Sequence, residues 1–232
     1  MYEPMNQLKK QLKILGTARP SEEGLTLMES LIAVVMVSAV AVAITPPIFL
    51  SVATRVQNRR AEQALQLAHG QIDQVRVLVE QGLDASNIEQ LPALAAGAAS
   101  LDDVNPPGSE YSALQSTNYS CSDYDVNPKQ VPVNQALPID INGDCEADFF
   151  VQTFRYKDVE GPITPGVPIV FNMGVRVYYR NAELQNAEKK QASLKLTTGE
   201  GQQRTHPLAV MSTALAQGDK DGSLDGYRQF LE

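Results

Sequence analysis

Three features of this chain could do chemistry: a lone carboxylate heading an apolar run, a pair of cysteines, and two acid-rich loops. The carboxylate is Glu29, set between Leu25-Thr26-Leu27-Met28 and Ser30-Leu31-Ile32, and from Leu31 to Leu50 no residue is charged. A charge inside a membrane is costly, and a residue kept there despite the cost usually has a partner and a task. A plainer reading is a capping box, with Thr26 as the N-cap and Glu29 three residues later. The cysteines are Cys121 and Cys145, with 23 residues between them. There is no Cys-x-x-Cys, so zinc and thioredoxin-like chemistry have no support. A single pair in an exported domain is most simply a disulfide, and in a cytosolic protein it would be two free thiols.

The acid-rich loops are Asp140-Ile141-Asn142-Gly143-Asp144-Cys145-Glu146-Ala147-Asp148 and Asp219-Lys220-Asp221-Gly222-Ser223-Leu224-Asp225-Gly226. Asp140, Asn142, Asp144 and Asp148, or Asp219, Asp221 and Asp225, space their oxygens as a calcium loop begins. An EF-hand needs Gly at its sixth position and a bidentate Glu at its twelfth. Here the sixth is Cys145 or Leu224 and the twelfth is Val151 or Phe230. Neither loop is an EF-hand, and a solvated polar turn accounts for both. Calcium is therefore a weak option, and no other cofactor is expected. Enzyme chemistry has little footing. The histidines are His69 and His206, and no Gly-x-Ser-x-Gly, His-Glu-x-x-His, Gly-x-Gly-x-x-Gly or phosphate loop occurs. Asn118-Tyr119-Ser120 matches a glycosylation sequon, a match that chance often supplies.

Composition and period define the elements that must hold these residues. The chain has 232 residues and a formal charge of −8, which suits one domain with its own core plus a tail. Residues 1–24 are polar, with Lys9, Lys10, Lys13 and Arg19 against Glu3, Glu22 and Glu23. That leaves 15 basic and 24 acidic side chains, or −9, in the remainder. Such an acidic body argues against nucleic-acid binding through the phosphate backbone. Residues 25–50 read as one spanning helix, since twenty uncharged residues cover about 30 Å. A secretory signal cut near Ala39-Val40-Ala41 would have a shorter apolar core, roughly 7–15 residues. Pro46 and Pro47 each remove an amide donor and crowd the preceding turn, so a break or kink is expected there.

Helical period resumes over residues 51–82. Ala61, Leu65, Ala68, Ile72, Val75 and Val79 recur at intervals of three and four, a face for packing on a sheet. Gly82 suits the C-cap. Residues 83–232 form the head. Its first part, 83–146, is rich in Asp, Asn, Gly, Pro, Ser and Ala, and is punctuated by Asn105-Pro106-Pro107-Gly108, Pro128, Pro132 and Pro138. It reads as a long irregular connection held by the Cys121–Cys145 bridge. Strands are expected at Phe149–Tyr156, Val167–Arg180, Gln191–Thr198 and Pro207–Ala216. In the second, Phe171, Met173, Val175, Val177 and Tyr179 share one face. Close succession predicts an antiparallel meander, and the fold class is α+β.

The string Gly24-Leu25-Thr26-Leu27-Met28-Glu29-Ser30-Leu31 resembles the cleavage site of type IV prepilins and pseudopilins. That family has a small residue, usually Gly, then usually Phe, then Thr and apolar residues, with Glu at the fifth mature position. Glu29 holds that place, and Pro46 holds the twenty-second, where the family often has a proline. Leu25 departs from the usual Phe. The resemblance is strong over residues 18–60 and elsewhere extends only to the general plan, a long helix followed by an antiparallel sheet. It implies that prepilin peptidase cuts between Gly24 and Leu25 and that the new amino group of Leu25 is methylated. Glu29, from the same or a neighbouring subunit, would then supply the matching anion. Such a pair is stronger at low dielectric than in water, and either partner left alone is costly, so Glu29 would set register in assembly. Some pseudopilins carry a calcium loop near the C-terminus, which bears on Asp219, Asp221 and Asp225.

The function so implied is a structural subunit, a minor pilin or pseudopilin of a type IV pilus-like or secretion filament, supporting motility or export. Partners would be prepilin peptidase, other pilin or pseudopilin subunits, and an inner-membrane assembly platform. The chain would cross the bacterial inner membrane once, with its head in the periplasm or in an extracellular filament. The leader, the Leu25 start and the stretch from Cys121 to Asp-Ile-Asn-Gly-Asp-Cys145 are also similar to pseudopilins linked to hormogonium polysaccharide secretion in filamentous cyanobacteria. That would add secreted polysaccharide as a partner. A type II secretion pseudopilin and a membrane-anchored binding module for a surface ligand or polymer remain open.

Overall fold

In lipid, the amides of an apolar run would have only one another as partners, and helix is the local way to pair them. Helix α1 is Leu27–Gln81. The computed structural model describes residues 26–125, 130–161, 165–193, 201–218 and 223–231. They fall into two units that meet in sequence at Ile48 and Phe49. In the first unit, the hydroxyls of Ser38 and Thr45 fold back to donate to Val34 O at 2.7 Å and Ala41 O at 2.6 Å. This spends their polarity inside the helix. The break expected at Pro46-Pro47 is not found as an end of the helix, because α1 continues through both residues. Two absent donors subtract two bonds, whereas unwinding the turn would free several more, a loss that would go unrepaired in lipid.

In the second unit, α1 buries Ala61, Ala64, Ala68, Ile72, Val75 and Val79. This corrects the expected stripe at one position: Leu65 is 38% exposed, and Ala64 is fully buried in its place. The two lie roughly 50° to either side of the stripe's centre at 100° per residue, so period alone does not choose between them. The alanine side allows the closer approach. The helix stops at Gly82, whose φ of +94° favours glycine, with its amide bonded to Val79 O at 3.1 Å.

Among the described residues six strands form the sheet: β1 (Ser109–Glu110), β2 (Gln115–Ser116), β3 (Gln135–Asp140), β4 (Phe149–Glu160), β5 (Pro168–Tyr179) and β6 (Ala209–Ala216). Strands β3 to β6 run as an antiparallel meander, and β1 and β2 add parallel to β3. The strands expected at 149–156, 167–180 and 207–216 are present. The one expected at 191–198 does not form over 191–193, and its remainder lies outside the described residues.

Strand β3 lies inside the region expected to be irregular. Its Pro138 obscures the pattern, and its placement explains why a proline is tolerated. β1 pairs with 135–136 and β2 with 139–140, so Pro138 falls in the gap between those two short partners.

One face of β5 (Phe171, Met173, Val175 and Val177) is fully buried in the core that includes the α1 stripe, together with Phe149, Val151, Leu208 and Leu215. Small side chains on the helix set against large ones on the sheet give close packing. The opposite face is covered too. Ala95, Ala98, Leu101 and Val104 pack there with Phe154 and Tyr156, and the 93–95 segment bridges the edge of β4 through backbone bonds of 2.9 and 2.8 Å with Arg155. Arg176, fully buried, donates to Leu101 O at 2.8 Å and to Gln152 Oε1 at 3.2 Å, and Gln152 Nε2 donates to Val133 O at 2.6 Å. Burial lowers the pKa of Arg176 and pushes that of Tyr178 well up. Residues 95–104 therefore form a second cover on the sheet, which corrects the reading of this stretch as connection alone, while Leu91 joins the core on the α1 side. A terminal helix α2 (Ser223–Leu231) packs on β4 and β5, and its Tyr227 hydroxyl donates to Gln217 O at 3.2 Å.

Candidate functional site

Thr26 heads α1. Its Oγ1 accepts the Glu29 amide at 3.3 Å and its carbonyl accepts the Ser30 amide at 3.0 Å. Thr26 is thus the N-cap, one half of the capping box. The Glu29 side chain is exposed and has no bonding partner among the described residues. Gly24 and Leu25 lie outside the described residues. Beyond Glu29 the apolar side chains are exposed around the helix, up to 73% at Val42 and 70% at Phe49. The most apolar window has a mean hydropathy of 2.4, and none of it is buried within the chain. The helix is long and apolar enough to cross a membrane. A helix apolar all round needs lipid or other chains as its surroundings.

Cys121 and Cys145 are joined in a disulfide with their Cα atoms 5.5 Å apart. It ties the segment after β2 to the β3–β4 turn. Asn118 works beside it: Nδ2 donates to Gly143 O at 3.1 Å and Oδ1 accepts the Ser120 amide at 3.1 Å. The sequon asparagine is therefore engaged in holding the loop.

Asp140 is buried and accepts from Ser116 Oγ at 2.7 Å, Gly143 N at 2.7 Å and Cys145 N at 2.9 Å. Burial works against its charge, but these bonds outweigh burial and hold its carboxyl below the ordinary value. Asp148 accepts the Ile141 amide at 3.0 Å, Asn142 accepts the Asp144 amide at 2.9 Å, and Asp144 accepts the Glu146 amide at 2.9 Å.

These oxygens face loop amides, as in a polar turn. Among the described residues no group of three or more His, Cys, Asp or Glu side chains is placed to hold a metal ion. Asp140, Asn142, Asp144 and Asp148 are near neighbours without forming a calcium cage. Asp219 and Asp221 lie outside the described residues, and Asp225 is exposed, 3.6 Å from Arg228. His69 is exposed on α1, and His206 Nδ1 lies 2.9 Å from Thr205 Oγ1.

Two features of the head had no clear signal in the sequence. Gly174 faces Phe154 across the β4–β5 ladder, and a Cβ there would sit 2.5 Å from the Phe154 ring and 2.8 Å from Leu101 Cδ1. A shallow groove of about 590 Å³ runs along α1 beside the disulfide segment, lined by Leu67, Gly70, Thr117, Tyr119 and Ile141 among others. Tyr119, 76% exposed, meets Tyr124 edge to face at 5.2 Å. Compared with protein-family models, with curated proteins and with solved structures, the chain matches none.

Proposed function

We propose that this chain is a structural subunit, a minor pilin or pseudopilin of a type IV pilus-like or secretion filament, held in the bacterial inner membrane by α1 before assembly. The observation that carries the reading is the contrast along α1. The described side chains of its uncharged stretch are exposed from Leu31 to Phe49, whereas one face of its stretch from Ala61 to Val79 is buried with the sheet. The first suits lipid and later the packing of copies, and the second carries a disulfide-clipped head. Prepilin peptidase would release the Leu25 amino group, and Glu29 would pair with such a cation on an adjoining subunit. A wrong register would bury one charge alone, at a cost of several kcal/mol.

Mass spectrometry of the mature N-terminus tests the reading. The expected start is methylated Leu25, and an intact Met1 or a start after Ala41 overturns it. Export of a polysaccharide is the finer form of the proposal, and unchanged polymer release from a deletion strain would remove it. The exposed Tyr119–Tyr124 pair beside the groove favours a second reading, in which the head also binds a surface polymer.

A further inference from the structure

Val52, Arg55, Val56 and Arg59 occupy one exposed side of α1, at the spacing of a single helix face. Val52 is 57% exposed and Val56 41%. Neither Arg55 nor Arg59 has a hydrogen-bond, ion-pair or ring partner among the described residues. The adjacent Arg60 is engaged, 4.1 Å from the Tyr179 ring centre and 3.4 Å from Gln203 Oε1. Glu62 is the one acid of α1 between Glu29 and Asp73. In a chain at −8, two unengaged cations on one helix face are not the general surface. Arg59 also lines a cleft of about 380 Å³ with Arg60, Asn142, Asp148 and Tyr179. The acid in that cleft, Asp148, is committed to the amides of Ile141 and Asn142.

Distance along the helix says what this face would meet. The uncharged run ends at Leu50, and Arg55 lies about 7 Å further along the axis, within the roughly 5–8 Å depth of a headgroup layer. Arg59 lies about 13 Å along. Helical side chains lean toward the N-terminus, here back toward that layer, and an arginine stem can lie on apolar surface while its guanidinium reaches polar ground. The guanidinium fork fits phosphate oxygens.

We propose that this face binds the phosphates of anionic phospholipid headgroups in the leaflet nearest the head, fixing the depth of the helix before assembly. The proposal rests on reading residues 31–50 as a membrane span. The full chain is reconstituted into phosphatidylcholine vesicles, and the motionally restricted fractions of spin-labelled phosphatidylglycerol and phosphatidylcholine are compared. A several-fold preference for phosphatidylglycerol is expected, with an upper bound of roughly five-fold per arginine. It should fall toward unity in R55Q/R59Q and at high salt. Basic residues 1–24 are the same in both proteins, so the difference belongs to the two arginines. A chain that floats with the vesicles but shows the same preference in both forms overturns the proposal alone. A chain that does not float overturns the span and the proposal together. Loss of self-association in R55Q/R59Q with lipid preference unchanged assigns the face to a second copy, and also overturns it.

Discussion

The hydroxyl of Thr26 accepts a hydrogen bond from the backbone amide of Glu29 at 3.3 Å, while the Glu29 carboxylate stands exposed. The cap and the proposed charge pairing thus fall to different groups, and they can be separated by substitution. Thr26→Ala should cost the helix about 1 kcal/mol, read by thermal melting. Glu29→Gln should leave the cap, membrane insertion and leader cleavage in place, because the cap hydroxyl and Gly24 are untouched. It should fail to join a filament, since a neighbouring amino group would be buried without its anion. Fractionation and rescue of a deletion strain measure this. A Glu29→Gln protein that is cleaved, membrane-held and fully functional would remove the register role.

Cys121 and Cys145 close a loop with a sequence separation of 24. By chain-entropy reasoning, reduction or Cys121→Ser should lower head stability by about 3 kcal/mol. Denaturant melts with and without reductant give the difference. Equal midpoints would mean that Asn118 and Asp140 hold the loop without the bridge.

Gly174 lies where a methyl group would collide with Phe154 and Leu101. Gly174→Ala should destabilise the head by about 1–3 kcal/mol through overpacking. The paired variant Gly174→Ala with Phe154→Leu should recover part of the loss. No recovery in the pair would place the strain elsewhere.

Asp140 has a folded pKa below its unfolded value, about 3.9. The folded state therefore holds fewer protons near that pH. The stabilisation is complete above about pH 4 and is lost as pH falls through the folded value. Melting temperatures between pH 7 and pH 3 should drop at the acid end for the wild type. Asp140→Asn should flatten that drop and lower neutral stability by about 2 kcal/mol. An unchanged acid limb in Asp140→Asn would assign the transition to other carboxylates.

Much of this molecule was legible in local pattern. The absence of charge from Leu31 to Leu50 and the three-four recurrence of small and aliphatic residues after it mark the two stretches that join in α1, because helix period needs only near neighbours. Alternation marked β5 for the same reason, and strands were also expected where β4 and β6 form. A lone cysteine pair, read with the expectation of export, pointed to its own bridge. The resemblance carried by Gly24, Leu25 and Glu29, on which the proposed function rests, likewise involves only adjacent residues.

Contacts between residues far apart in the chain settled the rest. Ala64 rather than Leu65 enters the core because of how the sheet approaches the helix. Strand β3 tolerates Pro138 because its parallel partners leave a gap there. Arg176 is buried rather than solvated because Leu101, 75 residues earlier, supplies a carbonyl to it. The oxygens of the 140–148 loop accept the loop's own amides, and Ser116 reaches Asp140 across 24 residues of sequence. Each outcome depends on which distant group arrives to satisfy a buried polar atom or fill a space, and local period carries no record of that.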